Sequence, residues 1–232
     1  MRPDFSSALP RCSASDAAAS SPAPGCFARN VYYDRTRGLD AAKLLPGEYY
    51  VATRDMLLVT VLGSCVAACI RDARLGIGGM NHFMLSDPDA GGPSSTAARY
   101  GVFAMEVLID HLLKLGARRE HLEAKLFGGG NVLPELAQAN VGHRNAAFAL
   151  DFLKAEGIRV IASDLADWHS RKLFYFPSTG KALVKRLQMH NGTVLQRELE
   201  YRNRLLRAAG DGGIEVFRPA RHGRRTIDPE GQ

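Results

Sequence analysis

Apolar residues fall in short runs separated by turn residues through the middle of the chain, and the runs alternate between strand length and helix length. Met56–Leu62 is rich in Leu and Val and ends at Gly63-Ser64, which predicts a strand. Cys65–Ile70 continues as a second apolar run, read as another strand with a helical turn at Cys65 as the alternative. Gly76, Gly78 and Gly79 precede a third short strand, Met80–Leu85. Asp87–Ser95 is polar and holds Gly and Pro, a loop long enough to act as a lid. Thr96–Leu115 places Tyr100, Phe103, Val107, Leu108, Leu112 and Leu115 at helical spacing, with Gly116 as its stop. Leu122–Phe127 predicts a strand running into Gly128-Gly129-Gly130. Asn145–Glu156, stopped by Gly157, predicts a second helix, and Ile158–Ala162 the strand after it. Lys172–Phe176 and Ala182–Met189 predict a hairpin around Pro177-Ser178-Thr179-Gly180, where Pro fixes φ and Gly accepts φ > 0. Gln196–Ala209 predicts a last helix.

The first 28 or so residues are rich in Ala, Ser and Pro and carry no apolar periodicity, and regular structure is expected to begin near Tyr49. The chain therefore divides into a largely disordered extension (1–44), one α/β or α+β domain (45–195), and a C-terminal helix with a basic flexible tail (196–232). No internal repeat is visible.

Composition narrows the function classes. With 46% hydrophobic and 23% charged residues the chain reads as a soluble globular protein. Its formal charge of +6 is spread unevenly: the central region is close to neutral and seven arginines follow residue 200. No concentrated basic face marks a nucleic-acid domain, so the tail reads as a solvated or disordered segment. The longest apolar stretch, Met56–Ile70, is interrupted by Thr60, Gly63 and Ser64 and is shorter than the roughly 20 residues a membrane helix needs. The N-terminal tract lacks the apolar run of a signal-peptide core. Four cysteines are too few for a disulfide scaffold, and the expectation is a cytoplasmic protein with reduced thiols and no membrane insertion.

Chemistry concentrates in Leu62-Gly-Ser-Cys65-Val-Ala-Ala-Cys69 and Gly78-Gly-Met-Asn-His82-Phe-Met-Leu85. A cysteine straight after Gly63-Ser64 can sit on a tight turn with its sulfur exposed and its N–H pointing into the same space, a nucleophile and an oxyanion donor together. His82 can meet it if the two strands are neighbours, and an imidazolium would stabilise the thiolate. The competing reading is inert: free cysteine is among the most buried residue types, and His82 beside Phe83 and Met84 can be a core histidine. Three other patterns fail. Cys65 and Arg71 have tyrosine-phosphatase spacing, but the apolar, glycine-free residues between them would run extended rather than cradle a phosphate. Cys65, Cys69 and His82 lack a second Cys/His pair at finger-like spacing, so no metal is assigned. Gly128-Gly129-Gly130-Asn131 has no following Lys-Ser/Thr to complete a phosphate loop.

Taken together, Thr60-Val-Leu-Gly-Ser-Cys65-Val-Ala, Gly79-Met-Asn-His82-Phe-Met-Leu85, Lys125-Leu-Phe-Gly-Gly129, Asn140-Val-Gly-His-Arg-Asn145 and Ser178-Thr-Gly180 resemble the CheD family of chemoreceptor glutamine deamidases over residues 47–190. The resemblance implies Cys65 as nucleophile, His82 as general base and acid, and an upstream threonine orienting the imidazole. Thr60 is the nearest, while Val59 holds the position where some members place it, and a one-residue slip in a strand reverses side-chain direction unless a bulge intervenes. Backbone N–H groups of Ser64 and Cys65 would hold the oxyanion. Gly128, Gly129 and Asn131, the Asp87–Ser95 loop and Arg144 are the candidates for substrate contact.

The implied fold is a layered α/β sandwich, with mixed β-sheets and helices packed outside, related to cytotoxic necrotizing factor-type deamidases. The implied partner is the cytoplasmic helical region of chemoreceptors, with a CheC-type phosphatase as a second partner in some bacteria, and no cofactor is required. One departure stands out: the segment Asp164-Leu-Ala-Asp-Trp-His-Ser170 lacks the Gly-Gly the family tends to carry there. A non-catalytic adaptor of the same fold is the alternative function.

Overall fold

The long apolar run around residue 60 is divided between two sheets. A computed structural model describes residues 26–85, 96–132, 140–187 and 192–210. Its strands are β1 (Cys26–Phe27), β2 (Asn30–Asp34), β3 (Leu39–Lys43), β4 (Glu48–Ala52), β5 (Leu57–Leu62), β6 (Val66–Asp72), β7 (Ile77–Asn81), β8 (Leu122–Gly128), β9 (Arg159–Leu165), β10 (Arg171–Phe176) and β11 (Lys181–Arg186). Its helices are α1 (Thr96–Lys114), α2 (Val141–Ala155) and α3 (Gly192–Gly210). One sheet has the order β1-β4-β7-β6-β8-β9 and the other β11-β10-β5-β3-β2. Both mix parallel and antiparallel pairs, and with the helices they form the layered α/β sandwich expected. Among the described residues no helix is long and apolar enough to cross a membrane.

Strand β5 lies mid-sheet and splits its side chains by alternation. Leu58 and Leu62 join the main core, while Leu57 and Val59 join a second cluster with Ala41 and Phe174 on the opposite face. Strand β6 is buried from Val66 to Ile70 without alternation, as a strand covered on both faces must be. Helices α1 and α2 pack on the six-stranded sheet. Cross-links from the β10–β11 turn reach the same sheet: Lys125 Nζ donates to Gly180 O at 2.8 Å and Arg71 Nη1 to Ser178 O at 3.2 Å.

Five boundaries differ from expectation, each for a tertiary reason. Gly78 and Gly79 lie within β7, which runs Ile77–Asn81, rather than before it. A Cβ on Gly79 would come within 2.6 Å of Leu108 Cδ1 on α1, so the glycines permit close helix–sheet approach. Helix α2 starts at Val141, four residues before Asn145, because Gly142 packs under the Gly129 and Gly130 carbonyls. Among the described residues regular structure is already present from Cys26, well before Tyr49: β1 to β3 lie within residues 26–43, inside the stretch read as a disordered extension. Their alanines and short length give little periodic signal, and pairing with β4 and β5 supplies the order. Strand β11 ends at Arg186 rather than Met189, where its pairing with β10 ends. Finally, α3 does not stand apart as a tail. Val194, Glu198, Tyr201 and Leu205 are buried, and Tyr201 and Leu205 belong to the main core. The Asp87–Ser95 loop and the arginines after residue 210 lie outside the described residues.

Candidate active site

Leaving β5 for β6, the chain crosses from one sheet to the other through Gly63-Ser64-Cys65. All three carbonyls of this turn are drawn back into the protein. Gly130 N donates to Gly63 O at 2.8 Å, Asn145 Nδ2 to Ser64 O at 2.8 Å, and Gly129 N to Cys65 O at 2.7 Å. Asn145 is itself held by Leu85 N at 2.8 Å. With the carbonyls committed, the three N–H groups converge on the other side, an arrangement that binds negatively charged oxygen.

That seat is filled by the Glu198 carboxylate from α3. Gly63 N donates to Oε1 at 2.7 Å, Ser64 N and Ser64 Oγ to Oε2 at 2.8 and 2.7 Å, and Cys65 N to Oε1 at 3.2 Å. Four donors satisfy a carboxylate that is 1% exposed. Gly63 is required here, since a Cβ would lie 2.8 Å from Glu198 Oε2 and 2.6 Å from Val132 Cγ2.

His82 follows β7 and is pinned by its backbone: its N–H donates to Glu48 O at 2.9 Å and its carbonyl accepts from Gly47 N at 2.7 Å. The Thr60 hydroxyl donates to Leu44 O at 2.9 Å, so it accepts from His82 Nδ1 at 2.8 Å. This bond assigns the proton to Nδ1 and leaves Nε2, buried and without a hydrogen-bond partner, as the basic nitrogen. Alternation in β5 turns Val59 to the outer cluster and leaves Thr60 as the one of the two that faces His82. Cys65 Sγ, a His82 ring nitrogen and a Glu198 oxygen all lie within 4.8 Å of one another.

The electrostatics differ from the expected thiolate–imidazolium pair. Burial pushes the Cys65 thiol well above its usual range, and the Glu198 charge pushes it further. Burial pulls the His82 imidazole down to about 3. Both groups are neutral here. The sulfur, expected to be exposed, is completely buried, and His82 is 2% exposed. Helix α3 contributes to this setting by placing the Glu198 carboxylate on the turn. Cys65, His82 and Glu198 present a possible ligand set for a cation, but the four donors on Glu198 use its lone-pair directions and leave none for a metal.

The glycines named as substrate contacts face inward. Gly128 (φ +106) and Gly129 (φ +63) are buried, and a Cβ on Gly128 would sit 2.1 Å from Cys65 O. They brace the Cys65 turn. Asn131 and Arg144 are half-buried, and Asn131 N donates to Asp167 O at 2.9 Å. Cys69 is buried within β6, paired with Met80 and Lys125. The extended course of β6 agrees with setting aside the phosphatase spacing. Two site residues escaped the sequence reading. Asn145 stood within a recognised motif without a role. Glu198 was legible only as an acidic residue on the 194/198/201/205 face of an amphipathic helix.

A family model described as CheD chemotactic sensory transduction matches residues 84–186. The chain is 61% identical over 194 residues to a probable chemoreceptor glutamine deamidase CheD of Janthinobacterium sp., covering 82% of this chain and 96% of that one. It is 63% identical over 192 residues to the probable deamidase CheD 1 of Dechloromonas aromatica, with 82% and 96% covered. The probable deamidase CheD 1 of Shewanella oneidensis is 52% identical over 191 residues, with 81% and 93% covered. Identity at this level over nearly the whole length of each relative means that the chain belongs to the CheD family.

Proposed function

We propose that this chain deamidates glutamines in the cytoplasmic helical region of chemoreceptors, using Cys65 as nucleophile. The observation that carries the reading is the orientation of His82: Thr60 holds Nδ1–H, so the lone pair of Nε2 is the one available to the neighbouring thiol. Beside it, the N–H groups of Ser64 and Cys65, joined by that of Gly63, already hold a carboxylate oxygen.

The chemistry follows from that geometry. His82 Nε2 takes the Cys65 proton as sulfur attacks the glutamine side-chain carbon, and the carbonyl oxygen becomes an oxyanion on the turn N–H groups. The tetrahedral adduct collapses as the imidazolium gives its proton to the departing nitrogen, releasing ammonia and leaving a thioester. His82 then takes a proton from water, whose oxygen attacks the thioester. The C–S bond breaks, the proton returns to sulfur, and glutamate is released. Gln plus water gives Glu plus ammonia, with neither nucleotide nor metal in the balance. Each turnover adds one negative charge to a receptor helix and alters charge repulsion at helical spacing.

The direct test is peptide mass on purified receptor cytoplasmic fragments, where each event adds about 1 Da as NH2 becomes OH. Cys65→Ala and His82→Ala abolish the gain, and Cys69→Ala retains it. Deamidation by Cys65→Ala would refute the nucleophile. The second reading, a non-catalytic adaptor that binds receptors or a CheC-type phosphatase, draws on the complete burial of Cys65. Binding with no mass change would favour it.

A further inference from the structure

We propose that α3 is an intramolecular plug whose Glu198 occupies the active site as a mimic of the reaction product, so that turnover requires α3 to lift. The inference rests on the deamidase reading for the word product. The closed site itself rests on geometry.

The chemical match is specific. The product of glutamine deamidation is a glutamate side chain, released with a carboxylate oxygen on the oxyanion donors and its carbon beside the sulfur. Glu198 is a glutamate on a helix, its oxygens are on the N–H groups of Gly63, Ser64 and Cys65, and one lies within 4.8 Å of Cys65 Sγ. The proposed substrate is likewise a side chain presented by a helix.

Access is closed while α3 is docked. Cys65 is completely buried. The cleft between α3 and the β3–β4 connection, lined by Leu44, Pro46, His82, Val194, Arg197 and Glu198, has a volume of about 20 Å³. That admits a single water and no glutamine side chain. Glu198 is also poorly suited to helping the chemistry. Its lone pairs are committed to four donors, and its charge beside the thiol opposes thiolate formation.

The helix is held by a narrow stripe. Val194, Glu198, Tyr201 and Leu205 face the protein, Tyr201 meets Tyr100 through their hydroxyls, and Gly47 leaves room for the Tyr201 ring. Gln196, Arg197, Glu200, Asn203 and Arg207 on the other side are exposed. A receptor helix carrying its own glutamine would compete for the same seat.

The test is alkylation of the full-length native protein by iodoacetamide, with Cys65 and Cys69 labelling followed separately by peptide mass. Cys69 is buried in β6 away from α3 and reports global opening. Glu198→Ala removes the mimic, and Val194→Asp loosens the stripe while Glu198 stays. Both are expected to raise the Cys65-to-Cys69 labelling ratio roughly tenfold or more over wild type. A ratio equal to wild type in both variants overturns the plug, as does wild-type Cys65 that labels as fast as either variant. Receptor deamidation is measured in the same samples. Faster Cys65 labelling without any deamidation by any variant would leave the plug standing and remove the deamidase reading.

Discussion

Two hydrogen bonds at Thr60 set which nitrogen of His82 carries the proton. The hydroxyl spends its proton on Leu44 O and so accepts from Nδ1. Thr60→Val removes that acceptor, and kcat on receptor fragments is expected to fall roughly tenfold to a hundredfold. Thr60→Ser keeps the oxygen and restores most of the rate, an outcome that a purely packing role for threonine would not produce. Glu198 offers a second test at the same scale. Glu198→Gln puts a carboxamide in the seat beside Cys65, and the peptide holding residue 198 is expected to gain about 1 Da as the amide is hydrolysed. The gain is absent when Cys65→Ala is combined with it. A glutamine that persists with Cys65 intact would count against this placement of the reacting carbon.

Among the elements, the Cys65 turn owes its shape to its neighbours. Gly128 ends β8 and Gly129 and Gly130 follow it, the latter two donating to Cys65 O and Gly63 O, so the end of one strand braces the start of another. Gly128→Ala would force an L side chain into φ +106 with Cβ 2.1 Å from Cys65 O. The expected cost is more than about 2 kcal/mol, read as a lowered denaturation midpoint, together with lost activity. The turn joining β10 and β11 is legible in the sequence, because Pro177 and Gly180 specify it locally and the strands pair on both sides of it, while the end of β11 is not. Nor are strands β1 to β3. Strand β2 pairs with the adjacent β3, but β1 and β3 take their register from the later strands β4 and β5, and Ala41 and Ala42 are buried by that packing and not by any pattern of their own.

For the whole molecule, the same burial that closes the site makes stability depend on pH. Glu48 is buried, and burial pushes its carboxyl up to about 7 from an ordinary 4.5. As pH rises from 4.5 the unfolded chain loses this proton first. The contribution of Glu48 is therefore fully present below 4.5 and drains away as pH climbs through about 7. Glu48→Gln removes that loss. Relative to wild type, the variant is expected to gain stability on the order of 3 kcal/mol between pH 4.5 and 8. Urea midpoints at pH 5 and pH 8 measure it, and a gain that does not grow with pH would refute the assignment. Comparing variant with wild type isolates Glu48 from His82, whose lowered value acts in the opposite direction.

Local chemistry determined much of this protein without help. Short apolar runs bounded by glycine marked β5, β6 and β8. Helical spacing marked α1. The five ordered motifs carried the family, and Cys65, His82 and Thr60 could be named from them. Only the tertiary structure decided that Thr60 and not Val59 faces the histidine, since side-chain direction depends on which face of β5 meets the core. Only it could make Asn145, Gly129 and Gly130 turn three carbonyls away and leave three N–H groups pointing at one place. The placement of Glu198 in that seat lies 133 residues beyond Cys65 in the chain. No periodicity encodes a contact so distant, because it exists only once both sheets and α3 have packed.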